Sequence, residues 1–268
     1  MVEIRCLNDA HGERFAAYNG DCVDVVAQLP ENSVGFSVYS PPFSNLFVYS
    51  DSLADMGNSA SDGEFMKQYG YLLREMTRVT KPGRLSAVHC SDLPLTKWKD
   101  GMIGIKDLSG EIIRAHQDAG WDLHSRVTIW KCPVVEMTRC HLNNSLRVGQ
   151  DSARFPVDQW QKWASPVWMD IRQTNTLNVA VAREDKDEKH LCPLQLDLIE
   201  RCLIMWSNPD DIVLSPFMGI GSEGVMSLRN KRRFVGVELK DAYFRQAVKH
   251  MEAEERNAPT LFDLLAAD

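Results

Sequence analysis

Apolar residues along the chain follow two spacings, and each spacing predicts a different kind of element. Residues 34–39 form a short apolar run, which is typical of a buried strand. A helix is predicted where apolar side chains recur every three to four residues, as at Phe65, Tyr69, Leu72, Met76 and Val79. We expect this helix to begin near Asp62 and to end at Pro82-Gly83, because proline and glycine interrupt helices.

The same two patterns recur to the end of the chain. Further strands are predicted at 84–90, 121–131, 177–182 and at both ends of 211–238. Further helices are predicted at 21–29, 109–119, 193–207 and 241–256. Strands that alternate with helices predict an α/β fold with a mainly parallel sheet and helices on both faces.

One segment breaks this alternation. Residues 132–176 are rich in Trp, Arg and Asn and show no regular period. We therefore predict one α/β domain formed by 1–131 and 177–268, with 132–176 as a separate small region. The Arg229-Lys231-Arg232-Arg233 cluster lies between a predicted helix and strand and is interpreted as surface charge or a dimer contact.

Composition excludes several classes of protein. The chain has 268 residues, of which 44% are hydrophobic and 25% charged, as in ordinary globular proteins. No apolar run has the length of a membrane span, and the charged stretch 1–20 does not resemble a signal peptide, so we expect a cytoplasmic protein. The seven cysteines form no C-x-x-C pair, which indicates reduced thiols and no metal site. The net charge of -7 argues mildly against a nucleic-acid partner, but basic residues are in excess at 74–106 and 126–162.

A glycine-rich turn between a strand and a helix indicates a nucleoside ligand. Gly219 and Gly221 allow the backbone to approach a ligand closely and to adopt positive φ. The next strand ends at Glu238, whose carboxylate can accept hydrogen bonds from a ribose diol. Gly219-x-Gly221-x-x-Gly224 also matches the dinucleotide fingerprint, so a nicotinamide-dependent oxidoreductase is one alternative. The late position of the turn disfavours the oxidoreductase, because a dinucleotide-binding fold opens with this turn. Here the remaining strands must precede the turn, so the sheet must be circularly permuted.

A second motif follows the strand at 34–39. Ser40-Pro41-Pro42-Phe43 predicts a rigid turn that presents a hydroxyl, carbonyl groups and an aromatic face. The Ser40 hydroxyl and the Pro41 carbonyl can hold the N–H groups of an exocyclic amine, and Phe43 can stack on a base rotated out of the duplex. His89 and Cys90, at the end of another strand, either line this cleft or are packed residues, and packing is favoured. Asp92 is interpreted either as a capping residue or as a residue that binds near the site.

Together the two motifs resemble those of the permuted, β-class DNA amino-methyltransferases, which modify adenine N6 or cytosine N4 and occur in restriction-modification systems and phages. The catalytic Ser-Pro-Pro-Phe motif comes first, the target-recognition region in the middle and the glycine motif last. The resemblance implies a Rossmann-like sheet of about seven strands with the last strand antiparallel, S-adenosylmethionine as cofactor, no metal, and a homodimer. It also implies cofactor contacts by Asp21, His190, Pro193, Pro216, Phe217, Gly219, Gly221, Ser222 and Glu238. Ser215 departs from the family, which often has Asp at this position.

The middle region supplies candidate DNA contacts. Its basic and amide side chains are suited to phosphates and base edges, and the candidates are Arg139, Asn143, Asn144, Arg147 and Arg154. The resemblance predicts a site-specific methyltransferase acting on double-stranded DNA in a bacterial or phage-infected cell. Adenine N6 and cytosine N4 both remain open as targets. A catalytically silent DNA-binding protein is the alternative from another class.

Overall fold

The computed structural model describes residues 4–43, 55–59, 61–95, 97–130, 163, 167–177 and 193–257. The strands in these ranges are β1 Asn8–His11, β2 Phe15–Asn19, β3 Val34–Tyr39, β4 Thr80–Val88, β5 Leu93–Leu95, β6 Gly104–Lys106, β7 Thr128–Ile129, β8 Val167–Trp168, β9 Ile212–Ser215 and β10 Arg233–Glu238. The helices are α1 Cys22–Ala27, α2 Asp62–Val79, α3 Lys97–Asp100, α4 Leu108–Asp118, α5 Leu196–Trp206, α6 Ser222–Arg229 and α7 Asp241–Arg256, with a 3-10 turn at Met56–Asn58.

Within the described residues, six strands form the main sheet, in the order β1-β2-β10-β9-β3-β4. All neighbouring pairs are parallel except β1 and β2. Strand β9, which leads into the glycine turn, lies between β10 and β3 although it comes late in the chain. Glu238 pairs with Asn19 across β10 and β2, so these strands end together. The carboxyl ends of β2, β10, β9 and β3 therefore meet at one edge of the sheet.

Helices cover both faces of this sheet, because its strands alternate apolar side chains between two separate cores. Phe36 and Val213 point into a core shared with α5, α6 and α7. Leu214 and Val237 point into a core shared with α1, α2 and α4. The predicted α/β architecture is thus confirmed. Trp168, in the predicted middle region, is buried in the first of these cores.

The antiparallel strand of the described sheet is β1, the first strand and not the last. A turn of three residues joins β1 to β2, and such a short connection requires antiparallel pairing. The last described strand, β10, is parallel to both neighbours. A seven-stranded sheet with an antiparallel last strand stays a prediction from the resemblance. Neither β1 nor β2 was predicted, since the polar sequence Asn-Asp-Ala-His of β1 has no apolar pattern.

Two element boundaries differ from the prediction. Helix α2 ends at Val79 rather than at Pro82-Gly83, and the Thr80 hydroxyl donates to the carbonyl of Met76 at 2.7 Å. The chain becomes extended at Thr80, and Pro82-Gly83 lies inside β4 at the edge of the sheet, where proline is tolerated. Of the predicted strand 121–131, only Thr128–Ile129 is strand among the described residues.

Arg232 corrects the interpretation of its basic cluster as surface charge. Its guanidinium is buried and donates to the carbonyl groups of Leu203 and Ser207 at 3.0 and 2.7 Å. These carbonyls lie at the C-terminal end of α5, where intrahelical donors are lacking. Arg232 therefore caps that helix. Among the helices of the described residues, none has the length and hydropathy to cross a membrane.

Candidate active site

The glycine turn lies at the carboxyl end of β9, in the centre of the sheet. Gly219 and Gly221 have φ of 53° and 90°, in the left-handed region that favours glycine. A Cβ on Gly221 would lie 3.0 Å from the backbone of Ala247, whereas a Cβ on Gly219 would meet no atom within 4 Å. Gly221 is therefore needed for packing against α7. Gly219 leaves open space beside the turn.

Glu238 is held against this turn by two backbone donors. Its Oε2 accepts the Gly219 N–H at 2.9 Å, and its Oε1 accepts the Lys240 N–H at 2.8 Å. Burial raises the pKa of Glu238 to about 7, although the two N–H groups oppose that shift. The carboxylate thus lies against backbone N–H donors and is partly shielded from water. It titrates near neutral pH.

A second acidic group lies beside Glu238, at the end of β2. Asp21 caps α1, and its Oδ1 accepts the N–H of Val23 at 2.7 Å and that of Asp24 at 3.2 Å. Asn19 donates its amide to the carbonyl of Glu238 at 2.8 Å, and the Gly20 N–H donates to the same carbonyl at 3.1 Å. Burial raises the pKa of Asp21. These contacts bring together the two acids that the sequence predicts as cofactor ligands.

Buried hydroxyl groups complete the wall of the turn. Ser215, at the end of β9, and Ser222, at the start of α6, are both nearly inaccessible. Neither side-chain oxygen has a hydrogen-bond partner among the described residues. Both oxygens are enclosed by the protein itself, so these serines shape the turn from inside rather than facing the open space beside it.

The Ser-Pro-Pro-Phe turn begins one residue after β3. The Ser40 hydroxyl donates to the His89 carbonyl at 3.0 Å and lies 3.4 Å from His89 Nδ1. The His89 N–H in turn donates to the Tyr39 carbonyl at 2.9 Å. With its own proton directed to His89, the Ser40 oxygen is oriented as an acceptor. The ends of β3 and β4 are thereby joined at the predicted catalytic residue.

A buried hydrogen-bonded group anchors the base of this turn. The Tyr39 hydroxyl lies 3.1 Å from the Tyr69 hydroxyl and 3.3 Å from His116 Nε2. Both tyrosines are fully buried, and burial raises the pKa of each phenol and lowers that of His116. All three groups are therefore neutral at physiological pH. Their contacts fix the strand end from which Ser40 projects.

Aromatic and proline side chains connect the two turns. Phe217, in the glycine turn, has its ring centre 5.9 Å from that of Tyr39. Pro41 is buried, and Pro42 and Phe43 are partly buried. Phe43 packs against the core on the α1–α2 side, which leaves part of its ring accessible. The glycine turn and the Ser-Pro-Pro-Phe turn are thus neighbours in one cleft.

Several predicted site residues are not among those described. His190 and the candidate DNA contacts Arg139, Asn143, Asn144, Arg147 and Arg154 lie outside the described residues. Pro193 is described and precedes α5. Pro216 follows Ser215 at the start of the glycine turn, beside Phe217.

Sequence reasoning missed the positions of two residues, one that contacts the site and one buried in the helix after the glycine turn. His89 was favoured as a packed residue, yet it contacts Ser40; its position at a strand end beside the Ser-Pro-Pro-Phe strand was the available signal. Glu223 was given no role, yet burial raises its pKa to about 8 in the first turn of α6, with Glu238 as its charged neighbour. The packed position of Cys90 agrees with the pKa of its thiol, which burial raises to about 12. Of the two roles expected for Asp92, the contacts show capping, since its Oδ1 accepts the Ser109 N–H at 3.0 Å at the start of α4.

No cluster of His, Cys, Asp and Glu within the described ranges has the arrangement of a metal site.

Comparison with known proteins assigns the chain to a family. The family model for N6/N4 methyltransferases, described as DNA methylase, matches residues 34–249. The Type II methyltransferase M.Cfr9I of Citrobacter freundii is 26% identical over 90% of this chain and 88% of its own length. M.XycI of Xanthomonas campestris pv. cyanopsidis is 24% identical over 90% of this chain and 88% of its own length.

Solved structures show the same fold. The putative DNA modification methylase TTHA0409 of Thermus thermophilus, in complex with S-adenosyl-L-methionine, superposes with a TM-score of 0.64 at 21% identity, covering 90% of this chain and 96% of its own. The PvuII DNA methyltransferase, which is cytosine-N4-specific, gives a TM-score of 0.62 at 16% identity, with 91% of each chain covered. The fold, the two turns and the family model agree, and the chain belongs to the N6/N4 DNA methylase family.

Proposed function

We propose that this chain transfers a methyl group from S-adenosylmethionine to the exocyclic amino group of adenine or cytosine in double-stranded DNA. The observation that carries the proposal is the meeting of two turns in one cleft, where Phe217 of the glycine turn contacts Tyr39 next to Ser40. One turn has the features of a nucleoside site, and the other presents an oriented acceptor. Methyl transfer to an amine requires these two functions side by side.

The glycine turn and its acidic neighbours are suited to S-adenosylmethionine. Glu238 would accept hydrogen bonds from the ribose hydroxyl groups, and Asp21 would bind the adenine amino group. The cofactor would occupy the open space beside Gly219, and the buried Ser215 and Ser222 would shape the turn behind it. When bound, the cofactor supplies an electrophilic methyl group. We assign Pro216, Phe217 and Gly221 to the wall of this site, and Pro193 and His190 to the segment that encloses it.

The Ser-Pro-Pro-Phe turn is suited to an amine whose lone pair is delocalised into a ring. The Ser40 oxygen and the Pro41 carbonyl would accept the two N–H groups, which favours the tetrahedral nitrogen that attacks a methyl group. Phe43 and Pro42 would form the wall against which the base stacks after it leaves the duplex. Both adenine N6 and cytosine N4 carry such an amino group, so the proposal covers either base.

The remaining assignments concern the DNA and the assembly. We propose that 1–131 and 177–268 form the catalytic domain and that 132–176 recognises the target sequence. Arg139, Asn143, Asn144, Arg147 and Arg154 would contact phosphates and base edges there. A homodimer in the cytoplasm is proposed from the resemblance. The oxidoreductase alternative is disfavoured by the family membership of the chain.

The test is a labelling experiment with a matched variant. The protein is incubated with methyl-labelled S-adenosylmethionine and mixed-sequence duplex DNA, and the labelled nucleosides are identified by mass spectrometry. We expect N6-methyladenine or N4-methylcytosine from the wild type, and a rate lower by about a hundredfold or more from Ser40→Ala. Ser33→Ala, at the opposite end of β3, is the control. Cofactor binding without label in any nucleoside would leave the silent DNA-binding protein as the better description.

A further inference from the structure

An exposed apolar group lies on the hairpin formed by β5, α3 and β6, which we call the 93–106 hairpin. Its large apolar side chains are Trp98, Met102, Ile103 and Ile105, with exposed fractions of 86%, 56%, 81% and 47%. Such a concentration in one short segment differs from the scattered exposed side chains that need no explanation. It indicates a surface that is covered when the protein functions.

The hairpin begins close to the predicted catalytic residue. Leu93 is four residues after His89, whose carbonyl accepts the Ser40 hydroxyl at 3.0 Å. Four residues span at most about 14 Å, so the base of the hairpin lies near the cleft. The base is also held firmly: Asp92 accepts the Ser109 N–H, and Lys106 pairs with Asp62.

An exposed apolar hairpin at this place could be covered either by DNA or by a second copy of this chain, and its charge distinguishes between the two. The sequence 93–106 contains Lys97 and Lys99 against Asp100, besides Lys106, which pairs with Asp62, whereas the whole chain carries a net charge of -7. Lysine is depleted in the interfaces between protein copies, whereas proteins that bind DNA use lysine to neutralise phosphates. A basic, apolar hairpin next to a base-binding cleft therefore fits DNA better than a second copy of this chain.

We propose that the 93–106 hairpin is a wedge that inserts Trp98 and Ile103 into the duplex beside the target base. The target base must leave the stack to reach Ser40, and the gap that it leaves exposes apolar base faces. Apolar side chains inserted between base steps stabilise such an unstacked duplex in other DNA-binding proteins. This inference rests on the proposed function, because it requires DNA as the substrate.

The experiment compares a double variant with a matched control on two kinds of duplex. The methylated site of the wild type is first mapped by sequencing methylated plasmid DNA. Trp98→Ala/Ile103→Ala is then assayed on an oligonucleotide duplex of that site and on the same duplex with a mismatch opposite the target base. Leu123→Ala is the control, because Leu123 is 53% exposed and lies outside the hairpin. It comes four residues after Ala119, whose carbonyl accepts the Thr77 hydroxyl near the C-terminal end of α2. Substituting such exposed side chains has little effect on folding, which thermal unfolding checks.

We expect kcat/KM of the double variant to fall at least about tenfold on the paired duplex and to recover on the mismatched duplex, where the base leaves the stack easily. The control should match the wild type on both. Equal activity of variant and wild type on the paired duplex would overturn the wedge, as would an equal loss on both duplexes. A shift from dimer to monomer in sedimentation would also overturn it, by showing that a second copy covers the hairpin. If the wild type methylates no DNA, the proposed function itself fails.

Discussion

The Ser40 hydroxyl donates to the carbonyl of His89 at 3.0 Å, and the Nδ1 atom of the same histidine lies 3.4 Å from the Ser40 oxygen. His89 thus holds Ser40 with its backbone and its side chain at once. The backbone contact is independent of the residue type at position 89, whereas the Nδ1 contact requires a polar side chain. The two contributions can therefore be separated by substitution.

The first prediction concerns the side chain of His89. His89→Ala keeps the backbone carbonyl and removes Nδ1, so Ser40 becomes less well oriented. We expect kcat to fall about tenfold to a hundredfold, with little change in KM for the cofactor, because misplacing one reacting group slows the chemical step. His89→Asn places a polar atom near the position of Nδ1 and should restore most of kcat.

Steady-state methylation of mapped duplex DNA measures both variants. If His89 has only a packing role, Asn should be as damaging as Ala, and both variants should unfold at a lower temperature. If Ala and Asn both keep the wild-type kcat, the Nδ1 contact has no part in orienting Ser40.

The second prediction concerns the pH dependence of cofactor binding through Glu238. The pKa of this carboxyl is raised to about 7 by burial, so the group is largely protonated below that pH. A protonated carboxyl is a poorer acceptor for a ribose diol. We expect the Kd for S-adenosylhomocysteine to be constant above about pH 8 and to rise as pH falls through 7, by up to about tenfold per pH unit.

Isothermal titration calorimetry between about pH 5.5 and 8.5 tests this dependence. Glu238→Gln should weaken binding at pH 8 by about tenfold or more, since hydrogen bonds to charged groups are the stronger ones, and should flatten the pH profile. Glu252→Gln, on the exposed face of α7, should leave both unchanged. A wild-type Kd that does not vary with pH would show that Glu238 is not the ribose acceptor.

The third prediction separates the two glycines of the turn. Gly221→Ala would bring a Cβ within 3.0 Å of Ala247 in a left-handed conformation, so we expect it to lower the free energy of unfolding by about 2 kcal/mol or more. A Cβ on Gly219 would meet no atom within 4 Å, so Gly219→Ala should lower the free energy of unfolding only by the cost of its positive φ, about 1 kcal/mol. Its methyl group would instead occupy the open space assigned to the cofactor.

Gly219→Ala should therefore weaken cofactor binding more than it destabilises the protein, and Gly221→Ala should do the reverse. Urea unfolding and calorimetric titration of S-adenosylhomocysteine give the two values for each variant. Unchanged cofactor affinity in Gly219→Ala would place the ligand elsewhere in the cleft.

The fourth prediction concerns stability and the buried carboxyl of Glu223. Its pKa in the folded protein is about 8, against a usual value near 4.5, so the folded state keeps a proton that the unfolded state loses. The free energy of unfolding should therefore fall as pH rises from about 5 to 8, with a slope of at most about 1.4 kcal/mol per pH unit from this group. Glu223→Gln should remove that contribution.

Urea unfolding at about pH 5, 7 and 9 measures the difference. We expect the free energy of unfolding of Glu223→Gln to increase relative to that of the wild type with each rise in pH. The difference between Glu31→Gln, a surface variant, and the wild type should be the same at each pH. Parallel curves for Glu223→Gln and the wild type would contradict the assigned pKa.

Local sequence patterns were sufficient for the elements whose signal lies in their own residues. Strand β3 was predicted at its observed bounds because Val34 to Tyr39 are all buried and mostly apolar. The glycine turn was predicted because positive φ at Gly219 and Gly221 is a local requirement that other residues meet poorly. The same locality explains why Glu238 and Ser40 could be selected as candidates, since Glu238 ends a strand and Ser40 directly follows one.

Features that depend on distant partners were not predictable in this way. The polar strand β1 exists because it pairs with β2, and pairing energy leaves no trace in the residue pattern of an exposed edge strand. Arg232 is of a residue type usually found on the surface, and it is buried because the carbonyl groups of Leu203 and Ser207, at the C-terminal end of α5, accept hydrogen bonds from it.

By itself, the sequence determined the fold class, the two turns and the family to which the chain belongs, because each is encoded in short segments of the chain. Only the tertiary structure decided which of these segments meet. His89 contacts Ser40 from 49 positions further along the chain because β3 and β4 are parallel neighbours whose ends coincide. Glu238 reaches Gly219 for the same reason at the end of β10. The physical cause is that backbone pairing in the sheet sets which strand ends are adjacent, and the sheet order depends on all of its strands together.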